Sequence, residues 1–313
     1  MRAVLATLAL VLAVGGPAVA QEASSPGEVQ APAPEPARDH PTVTLDEVVV
    51  VGNRLDEIAR QYVDSLAAPA RRRGLARWEG RVCIGSVNFR TEVAHFIIDR
   101  ISDVARELEV ELGEPGCRPN LFIIGTTDAP QLARDLVRRH RRNFFRLGFS
   151  SSNRGNSSLE RFQVSEAPVR WWHVSLPIVT QTGQAAVRLP GEPPAPGVCR
   201  TRFGSWAANC DAVYDRLLGL ITIVDVDGLG DVSLAQLADY LALVTLAQVE
   251  PDSDHTGVDT VLNLFEPDAA VGGLTEWDRI YLRALYSGDV EHISRREQAA
   301  RIVTTLEEIR ASE

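Results

Sequence analysis

The sequence predicts an α+β domain: a mixed β-sheet with packed helices and a helical C-terminus. Three observations carry this. Short β-prone runs alternate with amphipathic stretches in the first half, and an apolar strand near residue 220 precedes a nearly all-apolar helix. The last two helical segments both open with capping boxes.

The chain opens with a leader. Arg2 is followed by the apolar run Ala3 to Val14, then Gly-Gly-Pro and Ala18-Val19-Ala20 ahead of Gln21. This three-part pattern reads as a signal peptide over residues 1–20, cleaved after Ala20, with a core too short to span a bilayer. The expectation is a periplasmic or secreted protein with no transmembrane segment after cleavage. Residues 21–44 are Pro, Ala, Glu and Ser with few large apolar side chains, and read as a disordered tether.

Residues 45–77 read as a short β-prone segment plus a helix. The first part, Leu45-Asp-Glu-Val-Val-Val-Val-Gly-Asn-Arg54, resembles the Asp-Glu-Val-Val-Val-Thr-Gly segment near the N-terminus of TonB-dependent outer-membrane receptors. The chain is too short for a plug and a barrel, so a β-prone stretch is the plainer reading and partner docking the alternative. Asn53 is placed to cap a helix with Leu55, Ile58, Tyr62 and Leu66 on one face, which Arg71-Arg-Arg73-Gly breaks.

The domain itself is expected over 78–313. Arg81-Val-Cys83-Ile-Gly reads as a short strand. Thr91 to Leu112 reads as an amphipathic helix with the stripe Val93, Ile97, Ile101, Val104, Leu108 and Leu112, stopped by Gly113 and Pro115. Cys117 to Gly125 is then a buried strand, and Asp128-Ala-Pro130 enters another helix. Phe149 to Glu166, rich in Ser, Asn, Arg and Gly, reads as an exposed loop. Val169 to Thr180 reads as a strand with Ala185 to Leu189 as its hairpin partner. Arg216 to Asp225 is an apolar strand and Ser233 to Val249 an apolar helix. Capping boxes Thr275/Asp278 and Ser294/Glu297 start the last two helices.

Composition narrows the chemistry. The net charge is −10, one unit more negative once Arg2 leaves with the leader, which argues against nucleic acid as a partner. All 32 basic residues are arginine. The absence of lysine removes the P-loop, Schiff-base catalysis and the Ser-x-x-Lys acyl-enzyme. Cys83, Cys117, Cys199 and Cys210 form an even set in a chain with a leader, so two disulfides are expected. Of three connectivities, Cys83 with Cys117 and Cys199 with Cys210 is favoured because each pair brackets a local unit. Zinc is the competing reading, but no C-x-x-C knuckle is present.

Few residues carry candidate chemistry. Asp225-Val-Asp227-Gly-Leu-Gly230-Asp231 suggests calcium, yet Leu229 and Gln236 stand where an EF-hand needs oxygen ligands, so a turn into a capped helix is preferred. His95 and His173 are read as partly buried structural residues, with a catalytic role as the alternative. Arg138-Arg-His-Arg-Arg142 reads as a basic helix end, or as a contact for an anionic polymer.

Val224 to Leu285 carries a resemblance. An apolar strand, a long apolar helix, the acidic exit Pro251-Asp-Ser-Asp254 and then Leu274-Thr-Glu-Trp-Asp278-Arg-x-x-Leu282-Arg-x-Leu-Tyr286 resemble the C-terminal half of zincin-type metalloprotease-like proteins of bacterial envelopes. In such a protease the helix would hold zinc through two His around a Glu. Here Tyr240, Leu241 and Val244 occupy those places, and Asp239 is the helix's one carboxylate. The resemblance therefore implies a degenerate zincin-like fold without its metal, a pseudoenzyme. The functional expectation is a non-catalytic binding protein of the cell envelope, without cofactor, whose partner is an envelope protein or polymer. Alternatives are a hydrolase built on His95 or His173, and an accessory of outer-membrane transport docking through Leu45 to Arg54.

Overall fold

The computed structural model describes residues 52–67, 75–140, 155–179, 183, 199–200, 206–207, 213–267, 270–287, 300–301, 303–305 and 308, all within the unit Val49–Glu313. The residues read as leader and tether (1–44), the Leu45 to Val51 stretch, Ala185 to Leu189, Cys210 and the expected Ser294/Glu297 capping box lie outside these residues. In chain order the elements are α1 (Gly52–Leu66), β1 (Arg77–Trp78), β2 (Ile84–Val87), α2 (Thr91–Glu107), β3 (Leu121–Thr126), α3 (Ala129–His140) and α4 (Asn156–Val164). There follow β4 (Val169–Val179), β5 (Cys199–Arg200), β6 (Trp206–Ala207), β7 (Val213–Asp225), α5 (Leu234–Leu246), a 3-10 turn (Val261–Phe265) and α6 (Glu276–Tyr286). The class is α+β with a mixed sheet, as the alternating pattern predicts.

Strand β7 is the spine. On one edge it pairs in parallel first with β1, at Arg216 and Leu217, and then with β3, from Leu220 to Asp225. Strand β2 continues the sheet parallel to β3. On its other edge β7 runs antiparallel to β4, from Val213 opposite Val179 to Val224 opposite Val169. The hairpin partner expected for β4, Ala185 to Leu189, lies outside the described residues, and the described partner of β4 is β7. Both run long and apolar because helices cover the sheet on both faces. The register slips between Val174 and Ser175, so that Leu218 is an extra residue in β7. The bulge explains a break in alternation: Leu217 and Leu220, three apart, join one core, while Ile221 and Ile223 join the other and Leu218 packs against it.

The larger core gathers α1, α2, α5 and α6 against one sheet face, with Leu121, Ile123 and Trp171 from the strands. The smaller one places α3 and α4 on the other face, through Ala133, Val137, Leu159 and Phe162 around Trp172. Four expectations change here. Helix α1 is part of the main core rather than a segment ahead of a domain starting at Trp78. Its buried face is Ala59, Tyr62, Val63 and Leu66, while Ile58 is 37% exposed. Helix α2 stops at Glu107, not Leu112. Glu109 takes a left-handed φ of 57°, and its N–H and that of Val110 donate to Arg106 and Ala105, closing a Schellman turn without glycine. The stretch read as an exposed loop contains α4, whose Leu159 and Phe162 are buried despite its Ser and Asn content. The fourth change is at His95, which is exposed on α2 and not partly buried.

Cys83 and Cys117 form a disulfide, Cα atoms 6.0 Å apart, which ties the start of β2 to the loop ahead of β3. Gly113 is required beside it, since a Cβ there would lie 2.4 Å from Cys117 Sγ. Among the described residues no helix is long and apolar enough to cross a membrane.

Candidate functional site

Helix α5, the counterpart of the zincin-like helix, is buried from Leu237 to Leu246 on every side. Burial leaves its last four carbonyls without water, and each must find a donor. The Leu243 carbonyl accepts from the Ala247 N–H at 3.0 Å. Val244 accepts from His173 Nε2 at 2.9 Å, Thr245 from Trp78 Nε1 at 2.7 Å, and Leu246 from the Tyr286 hydroxyl at 2.7 Å. Three side chains from β4, β1 and α6 therefore cap one helix. A carbonyl only accepts, so His173 Nε2 carries a proton and donates it. The helix start is closed by the Ser233/Gln236 capping box.

The Leu274 to Tyr286 segment has a structural task at each of its chemically distinctive positions. Asp278 is fully buried. Its carboxylate accepts from the Tyr62 hydroxyl at 2.5 Å, Thr260 Oγ1 at 2.7 Å, and the backbone N–H groups of Val261 and Thr275 at 2.8 and 2.9 Å. One carboxylate thus joins α1, the 3-10 turn and α6, and also completes the Thr275 capping box. Burial pushes Asp278 above the usual carboxylate range against the pull of these donors, and pushes the Tyr62 hydroxyl well up. Asp239, on α5, is equally committed. It pairs with Arg100 of α2 and accepts the Leu274 N–H at 2.9 Å. Gly273 leaves room for it, because a Cβ there would meet Asp239 Oδ2 at 2.3 Å.

The other candidates do not assemble. Asp225 ends β7 and Asp227 stands in the turn after it, where Asp225 Oδ1 accepts the Asp227 N–H at 3.3 Å. His95 and His173 lie on different elements, one exposed and one buried. Arg138, Arg139 and His140 occupy the last turn of α3, where cations oppose the helix dipole. Among the described residues no three His, Cys, Asp or Glu side chains form a group able to hold a metal ion.

A different place in the fold combines a concavity with an unsatisfied charge. Between α4, the start of β4 and the Pro251–Asp252 turn lies a cleft lined by Ser158, Arg161, Phe162, Arg170, Trp172 and Asp252, among others. Its inner free volume is about 20 Å³, room for one or two water-sized groups. Arg170 is 2% exposed. Its guanidinium reaches the Phe162 and Ala167 carbonyls only at 3.5 Å, the limit of a hydrogen bond, and Nε has no partner. No described carboxylate pairs with it, and burial lowers its pKa, opposed by the more distant Asp225. At the mouth, Arg161 binds Asp252 at 2.6 Å and Ser158 Oγ at 3.1 Å. Sequence reading passed over Arg170. The available signal was an arginine within the β-prone run Val169-Arg-Trp-Trp172 at the start of β4.

No protein-family model matches the chain, and neither the curated proteins nor the solved structures yield a match.

Proposed function

We propose that this chain is a non-catalytic binding protein of the cell envelope, exported by its N-terminal leader. One observation carries the reading. The side chains best suited to acid, base or metal chemistry are spent on structure: in the segment resembling zincin-type proteases Asp239 holds Arg100 and Leu274 and Asp278 accepts four donors, and outside it His173 of β4 caps α5. A general base needs a free lone pair facing substrate, and His173 offers its Nε2 as a donor to a buried carbonyl. The segment resembling that family serves on this reading as scaffold. The disulfide fits an oxidising compartment. Purified protein is expected to hold no stoichiometric zinc and to hydrolyse neither peptide nor ester substrates. Chelator-sensitive turnover would overturn the reading.

A further inference from the structure

We infer that the cleft beside α4 is a binding site for a carboxylate group, with Arg170 as its buried counter-charge and Arg161 as its movable arm. The inference rests on the binding-protein reading and names the chemistry of the ligand. A guanidinium taken out of water costs several kcal/mol unless a counter-charge or full hydrogen bonding compensates it. Arg170 has no paired carboxylate, Asp225 and Asp128 acting on it only from a distance, and its hydrogen bonding is two contacts at 3.5 Å with a bare Nε. Both accepting carbonyls belong to residues that line the cleft, which places the charge at its wall.

The remaining surroundings suit an anion of small size. The cleft counts two arginines against one carboxylate, Asp252, so its own charge is positive. The inner volume of about 20 Å³ has room for a small polar group such as a carboxylate. Arg161 is half exposed on its side chain and is held by the partly exposed Asp252, an ion pair that a competing carboxylate can exchange at little cost. Trp172 supplies an apolar wall for the carbon chain behind the carboxylate. The ligand class is a molecule with an exposed carboxylate next to an apolar or aromatic stem.

Tryptophan fluorescence reads the site directly, since Trp171 and Trp172 line it. The full mature chain is titrated with acetate and with phenylacetate, against sodium chloride at matched ionic strength. Both carboxylates are expected to give a saturable change that chloride does not, with phenylacetate binding more tightly. Arg170→Met should weaken binding at least tenfold and Arg161→Met about threefold. Arg161 is at the surface, so its variant keeps the test open if Arg170→Met does not fold. A response equal to that of chloride, or one unaltered in either folded variant, overturns the inference. Failure here leaves the non-catalytic reading standing, because zinc content and turnover decide that separately.

Discussion

Asp278 and Arg170 are both charged side chains taken almost entirely out of water, and the protein treats them in opposite ways. Around the acid, four donors at 2.5–2.9 Å converge from three elements. Around the base, two carbonyls stand at 3.5 Å and one nitrogen is bare. A buried charge with its bonds made is a joint. A buried charge with its bonds left open lowers stability, and a cleft beside it gives that cost a use.

The comparison breaks first at Asp278. Replacing it with alanine strands four donors at once and should cost about 3–5 kcal/mol in urea unfolding. A loss below about 1 kcal/mol would mean the knot is ornamental and the contrast false. Tyr62→Phe removes one donor to a charged acceptor and should cost about 2 kcal/mol by the same measurement. Arg170→Met should go the other way, leaving stability unchanged or raising it by about 1 kcal/mol, because an apolar side chain needs no partners. A large loss would show that the two long bonds are strong.

The smallest effect sharpens the contrast through pH. His255 resembles a mild Arg170: burial lowers its pKa, its Nδ1 is unsatisfied, and Nε2 meets the Glu250 carbonyl at 3.3 Å. Between its lowered folded pKa and the unfolded value near 6.5, the unfolded chain binds the proton more readily. Its contribution is therefore present above about pH 6.5 and is lost as pH falls toward the lowered value. The stability difference between wild type and His255→Asn should narrow over that range. A difference flat from pH 7.5 to 5 would remove His255 from the comparison.

What the sequence made legible follows periodicity. The α2 stripe, the β3 run and the buried α5 are visible because one face or all faces must be apolar, and the Cys83–Cys117 bridge because it brackets one unit. The α2 end was misplaced because the left-handed cap falls on Glu109 instead of the nearest glycine. Helix α4 was hidden by Ser and Asn, with burial resting on Leu159 and Phe162. The joints were less legible still. Tyr62 and Asp278 are 216 residues apart, and no local pattern announces that a hydroxyl and a carboxylate will meet. Arg170 is the same case in reverse, since its meaning lies in partners that are absent.

The position of β7 bears on how the chain comes to be folded at all. Strands β1, β3 and β4 all pair with it, and α1 waits for α6. Beyond the local β2–β3 pair, a nascent chain therefore cannot complete its sheet until residues beyond 213 arrive, and cannot join α1 to Asp278 until α6 follows. Contacts this distant slow folding, because loop closure comes before any reward. On the proposed export route, that order would keep the segments that pair with β7 from closing on it before β7 itself has been made.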